Sequence, residues 1–133
     1  MICTKSCPIE KALEYVGKKW SIELIKDLFF GMSHFNEFLE ANPKLSAKML
    51  SQRLKDLEKN GLIEKKVVSV TPLSVEYHLT EKGRALNMVI YELAVFAMTA
   101  CESDAVAARE TTRFPNATED LRKVLDIPAR AEY

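Results

Sequence analysis

A mainly helical α+β fold is what this sequence predicts: four short helices, a β-hairpin, then a longer helix. Three observations carry that expectation. Apolar residues recur at helical spacing along the N-terminal part of the chain. Between Ile63 and Leu79 the pattern changes to Val/Ile-rich and alternating runs, as strands require. Glycines, Asn-Pro and Asn-Gly steps then fall where helices of ordinary length should stop.

The elements follow in order. Pro8 to Val16 places Ile9, Ala12, Leu13 and Val16 on one helical face and ends at Gly17. A second helix is expected from about Lys19 to Phe29, with Trp20, Leu24, Ile25 and Leu28 aligned, ending at Gly31. Ser33 is the expected cap of a third helix containing Phe35, Phe38 and Leu39. That helix must stop before Asn42-Pro43, because a residue preceding proline is pushed out of the helical region. Ser46 should cap a fourth helix, Ala47 to Lys59, whose apolar stripe is Ala47, Leu50, Leu54 and Leu57. Two strands, from Ile63 to Val70 and Val75 to Leu79, should form a hairpin around a tip of Thr71-Pro72-Leu73-Ser74. Thr80 then caps one long helix from Glu81 to about Ala100. A short amphipathic segment with Leu121, Val124 and Leu125 precedes Pro128. Residues 1–102 are expected to be one folded domain and 103–133 a partly helical C-terminal extension. Short helices joined by a tight turn and followed by a hairpin describe a winged helix-turn-helix, with a two-stranded wing and flanking dimerisation helices.

Composition limits the function classes. The 133 residues carry 19 Lys plus Arg and 19 Asp plus Glu, so the formal net charge is zero, which counts mildly against a nucleic-acid binder. The only histidines are His34 and His78, and no H-x-x-x-H, C-x-x-C, G-x-S-x-G or phosphate-cradling glycine loop occurs. No enzyme activity, metal or cofactor is therefore expected. Apolar stretches fall short of the roughly 20 residues a membrane span needs. Met1 to Pro8 lacks the apolar core of a signal peptide, so the expectation is a cytoplasmic protein without membrane contact. Three cysteines, an odd number, do not make a disulfide framework.

Charge is unevenly distributed. Lys48, Gln52, Lys55 and Lys59 face away from the apolar stripe of the fourth helix, with Met49 and Ser51 at its borders. From Lys44 to Lys66 seven basic residues meet three acidic ones, a net +4 inside a neutral chain. A helix of this kind can enter the major groove, where Gln52 reads a base edge and lysines meet guanine or phosphate. Lys65 and Lys66 on the first strand can hold the flanking backbone. The same charges also suit a merely solubilising face and a protected sheet edge.

Leu86, Val89, Ile90, Leu93, Phe96 and Ala97 make one stripe on the last long helix, but Met88, Tyr91, Ala94, Val95 and Met98 cover much of the remainder. A helix apolar nearly all round needs burial on several sides. A homodimer interface supplies that burial, with Ile9 and Leu13 of the first helix as further candidates; a C-terminal segment folding back is the alternative. Cys7 precedes Pro8 at a helix start, where backbone N–H groups favour a thiolate, so it is the candidate redox-sensing residue. A buried small side chain is the plainer use of Cys7, and Cys3 is a candidate resolving thiol.

These residues in this order resemble the HxlR family of winged-helix regulators, relatives of the MarR group. The resemblance rests on Cys7-Pro8-Ile9-Glu10, Gly17-Lys18-Lys19-Trp20, Phe35-Asn36-Glu37-Phe38, the run from Leu45 to Glu58, Gly61-Leu62-Ile63, and Val75-Glu76-Tyr77-His78-Leu79-Thr80-Glu81-Lys82-Gly83. It implies a homodimeric transcriptional regulator, read as a repressor, on inverted-repeat double-stranded DNA. It further implies electrophile or oxidant sensing through Cys7, and places Lys48, Ser51, Gln52 and Arg53 on or beside the reading helix. The candidate DNA-contacting set is therefore Lys44, Ser46, Lys48, Met49, Ser51, Gln52, Arg53, Lys55, Lys59, Lys65 and Lys66, with Arg53 near the apolar border and suited to a phosphate contact or a packing bond. Lys18, Phe96 and the extension beyond Ser103 depart from the family pattern. Two other functions fit the sequence: a winged-helix protein-interaction module, and a small-molecule sensor using Trp20, Phe29, Phe30 and Tyr91.

Overall fold

The computed structural model describes residues 7–100 and 117–128, which leaves Cys3, Cys101 and most of the stretch after Ser103 outside the described residues. The chain divides into two compact units between Arg84 and Ala85.

The first unit contains α1 (Pro8–Val16), α2 (Ser21–Phe29), α3 (Phe35–Ala41), α4 (Ala47–Lys59), β1 (Ile63–Val70), β2 (Leu73–Leu79) and α5 (Glu81–Arg84). Its core is made by Leu24, Ile25 and Leu28 of α2, Phe38 of α3, Leu50, Leu54 and Leu57 of α4, and Leu62, Ile63 and Leu79 around the hairpin base. Helices α2 and α4 bury the apolar residues of their stripes that lie within them, which is how an amphipathic pattern specifies a buried face. Ala47 is the exception: the first residue of α4 lies on the surface, not in the stripe.

Strands β1 and β2 pair antiparallel, with Ile63 opposite Leu79, Lys65 opposite Tyr77, and an irregularity between Val67 and Ser69. The backbone N–H of Tyr77 donates to the Ser33 carbonyl at 2.8 Å, which ties the wing to the α2–α3 connection. The Phe38 and Tyr77 rings meet edge to face at 6.5 Å. This is the mainly helical fold with a two-stranded hairpin that the sequence predicts.

Several local expectations are corrected. Helix α2 begins at Ser21, and Trp20 stands before it in the left-handed region at φ 76°, a conformation a bulky residue adopts only when its surroundings hold it there. His34, not Ser33, is the N-cap of α3: the Glu37 carboxylate reaches back to accept from the His34 backbone N–H at 3.1 Å. The hairpin turn is Thr71-Pro72 alone, because Leu73 and Ser74 already pair with Val70 and Ser69. Ser46 caps α4 as expected, its hydroxyl accepting from the Met49 N–H at 3.1 Å.

Instead of one long helix from Glu81, the chain forms α5, two turn residues, and then α6 (Asn87–Ala100). Gly83 and Asn87 both weaken a helix interior. Asn87 also turns its side-chain oxygen onto the Met88 N–H at 2.8 Å, a local bond that competes with the helical ladder.

The second unit pairs α6 with α7 (Ala117–Val124). The Asn87 amide donates to the Leu125 carbonyl at 3.0 Å, and Arg122 donates to the Tyr91 hydroxyl at 3.1 Å while lying over its ring. Ile90, Tyr91 and Leu125 are buried within it. Helix α7, which carries Leu121 and Val124 of the amphipathic segment, covers one side of α6.

Candidate nucleic-acid interface

Helix α4 is placed by its surroundings before it meets any ligand. Asn42, at the end of α3, donates to the buried carboxylate of Asp27 in α2 at 2.7 Å and to the Phe38 carbonyl at 2.8 Å. The Leu45 N–H then donates to the Asn42 carbonyl at 2.9 Å, closing the turn between α3 and α4. With Leu45, Leu50, Leu54 and Leu57 all buried, the rotation of α4 about its axis is determined.

That rotation leaves Lys44, Ser46, Lys48, Met49, Gln52, Lys55 and Lys59 exposed, and Ser51 partly so. Among the described residues, Lys44, Lys48, Lys55, Lys59 and Lys65 make no ion pair, so their charge is available to an anionic partner. Lys66 is exposed on the wing but lies 3.4 Å from Glu64. The structure thus brings the lysines of α4 onto one open helix face, with two more on β1.

Arg53 behaves differently. It is only 8% exposed and turns inward: Nε donates to the Lys19 carbonyl at 2.8 Å, and Nη1 reaches Asp56 at 2.7 Å. Of the two uses its border position allows, the geometry realises the packing bond. Asp56 also accepts from Gln52 at 3.3 Å and lies 3.6 Å from Lys18.

Sequence reasoning gave Lys18 and Lys19 no part in this region. Adjacent lysines between Gly17 and Trp20 were a visible signal, but the link to Asp56 spans 38 residues and no local pattern reveals it.

A model of HxlR-like helix-turn-helix domains matches residues 15–105, well over half of the chain. The chain belongs to the HxlR-like helix-turn-helix family. The HTH-type transcriptional regulator YodB of Bacillus subtilis (strain 168) is 42% identical over 106 residues, which are 78% of this chain and 95% of YodB. Among solved structures, the redox regulator HypR in its oxidised form superposes with a TM-score of 0.66 at 34% identity, covering 74% of this chain and 97% of HypR. The reduced form of YodB superposes with a TM-score of 0.61 at 40% identity, covering 78% of this chain and 99% of that structure. This HxlR-like protein is therefore a transcriptional regulator of the helix-turn-helix class. Residues beyond 105, α7 among them, lie outside the family match, as do Cys7 and Pro8.

The remaining candidate residues are placed as follows. On α1 of this HxlR-like chain, Ile9 is 66% exposed and Leu13 55%, and the helix buries no residue of its own. On α6, Val89, Leu93, Phe96 and Ala97 are exposed and Ile90 is inside its unit, whereas Leu86 lies in the turn before α6 and is partly exposed. Cys7 is 4% exposed and stands directly before α1, its carbonyl accepting from the Lys11 N–H at 3.0 Å. Of the aromatic residues considered for a ligand, Trp20 and Phe29 are half-buried, Phe30 is exposed, and Tyr91 is engaged by Arg122. No helix among the described residues is long and apolar enough to cross a membrane.

Two titratable groups near the wing depart from their ordinary values. The hydrogen bond from His34 lowers the Glu37 carboxyl. Burial, with the Glu58 carboxylate adding to it, raises the Tyr77 hydroxyl. Glu37 completes the N-terminal cap of α3, and Tyr77 packs its ring against Phe38.

Proposed function

We propose that this HxlR-like regulator acts as a homodimeric repressor on an inverted-repeat operator. Two copies of α4 would enter successive major grooves about 34 Å apart. Gln52 reads base edges there, Lys48 and Lys55 contact phosphate or guanine, and Lys44 and Lys59 extend the contact at the ends of the helix. Lys65 and Lys66 hold the flanking backbone. The apolar faces of α6 and α1 pair the protomers, because Val89, Leu93, Phe96, Ile9 and Leu13 are large side chains left in water.

The single observation that carries this reading is that the α4 lysines make no ion pair among the described residues, in a chain of zero net charge. A solubilising face is usually mixed in sign, and Asp56, at the edge of this one, is occupied by Arg53 and Gln52.

The signal in this reading is an electrophile or thiol oxidant acting on Cys7. Support comes from the position of Cys7 before α1, where the helix dipole favours a thiolate, and from similarity to HypR, a redox regulator. Modification of Cys7 would shift α1 and change the separation of the two reading helices, which must register on one duplex face.

The test begins with duplexes that the protein itself selects from a random-sequence pool. Fluorescence anisotropy then compares a selected duplex with a scrambled one at near-physiological salt. A preference of about a thousandfold or more is expected for a specific regulator. Equal, salt-labile binding to both would overturn the reading. Loss of binding with diamide in the wild type, but not in Cys7→Ser, tests the thiol step.

A further inference from the structure

We propose that Arg53 and Asp56 are positioning residues that orient Gln52 to read an adenine, and that Arg53 itself makes no DNA contact. The inference deepens the operator-binding reading and rests on it.

Arg53 follows Gln52 on a helix whose other basic residues point to solvent, yet three of its donors are already engaged. Nε donates to the Lys19 carbonyl at 2.8 Å, Nη1 to Asp56 Oδ2 at 2.7 Å, and Nη2 to Met49 Sδ at 3.2 Å. The guanidinium fork is planar, so three bonds fix its plane and hold Met49 and Asp56, one turn to either side of Arg53 on α4, relative to each other.

The Lys19 carbonyl is a restrained anchor. It immediately precedes Trp20, whose left-handed backbone at φ 76° persists only if the neighbouring structure holds it. Arg53 therefore braces α4 against the α1–α2 turn across 34 residues of sequence.

Asp56 passes this order to the reading face. Its Oδ2 holds Arg53 and lies 3.6 Å from Lys18 Nζ, while its Oδ1 accepts from Gln52 Nε2 at 3.3 Å. A glutamine amide has two N–H donors and one carbonyl acceptor. Asp56 occupies one donor, so Gln52 keeps one N–H and one C=O. An adenine presents the complement in the major groove, N7 to accept and N6–H to donate. A free glutamine must lose side-chain rotamer freedom on binding, and here part of that loss has already been met in the unbound protein.

The test uses a duplex selected by the wild-type protein, a scrambled duplex, and a selected duplex carrying 7-deazaadenine at each adenine in turn. Affinity is measured over a salt series for wild type, Arg53→Lys, Arg53→Gln and Asp56→Asn. Lys65→Ala, on the wing, serves as the phosphate-contact control, and circular dichroism confirms that each variant is folded. The expected result is a specificity ratio lowered roughly tenfold in the Arg53 and Asp56 variants, with the salt slope unchanged. One 7-deazaadenine should weaken wild-type binding and leave Asp56→Asn binding unaffected. Asp56 is the more accessible partner, so its variant carries the test if Arg53 variants fail to fold.

Two outcomes would overturn the inference alone. One is a salt slope that falls by about 0.9 per lost phosphate contact in Arg53→Gln while the specificity ratio holds, the mark of a backbone contact. The other is wild-type binding indifferent to every 7-deazaadenine. A wild-type protein that selects no sequence would instead overturn the operator-binding reading on which the inference rests.

Discussion

The Asn42 side-chain amide donates a 2.7 Å hydrogen bond to the carboxylate of Asp27, and both residues are buried. This bond joins α2 to the turn between α3 and α4, and so carries the placement of the reading helix. A second donor, Lys26 Nζ, lies 3.3 Å from the other carboxylate oxygen. The charge of Asp27 is thereby held between one buried amide and one partly exposed ammonium.

Asn42→Ala should destabilise the protein by about 1–3 kcal/mol, because it leaves a buried carboxylate oxygen without its donor. Urea unfolding of the first unit should show a lower midpoint with an unchanged slope. An unchanged midpoint would mean that water replaces the amide without cost.

Gly83→Ala should be more damaging than a helix-favouring substitution normally is. Gly83 is buried at the end of α5, and a Cβ there would collide with the Leu62 carbonyl and press on Leu79. The expected cost is about 2–4 kcal/mol, in the range of strong overpacking. A gain in stability, as helix propensity alone would give, would show that the hairpin base can shift away.

These two sites show what sequence could and could not reveal. The stripe of Leu50, Leu54 and Leu57 and the Ser46 cap are local patterns, and α4 has the predicted ends. The strands were legible from β-branched residues and alternation. The bond from Asn42 to Asp27 and the inward turn of Arg53 onto Lys19 depend on tertiary neighbours 15 and 34 residues away, which no window on the sequence contains. Helical periodicity alone ran Glu81 to Ala100 together, because it weighs neither the crowding at Gly83 nor the side-chain bond made by Asn87. Trp20 looked helical for the same reason: its apolar phase was right, and its backbone is set by the turn before it.

Protonation of Glu37 should lower stability. In the folded protein the hydrogen bond from His34 holds the Glu37 carboxyl below its ordinary value of 4.5. A depressed carboxyl contributes stability that is fully present above the unfolded value and is lost as pH falls through the folded one. Thermal unfolding of wild type and Glu37→Gln should therefore differ most above pH 4.5 and converge as the pH drops well below it. Parallel curves across that window would place the titrating group elsewhere.

The exposed face of α6 gives the last prediction. Leu93 is 49% exposed and Phe96 62% exposed, one turn apart on a helix whose opposite side is covered by α7. A fully buried Leu or Phe side chain is worth about 1.5–3 kcal/mol over an exposed one, so leaving both in water is costly unless another surface covers them. A second copy of the chain is the proposed cover. Because an isologous interface repeats each substitution, Leu93→Lys and Phe96→Lys each place two charges in it. Sedimentation equilibrium should show a dimer for the wild type and a monomer for either variant, while circular dichroism shows the helices retained. Affinity for a selected full-length duplex should fall as dimerisation is lost, because only the paired protein engages both half-sites. If the variants stay dimeric, the protomers are joined through another face, and the apolar side of α6 serves something other than the dimer.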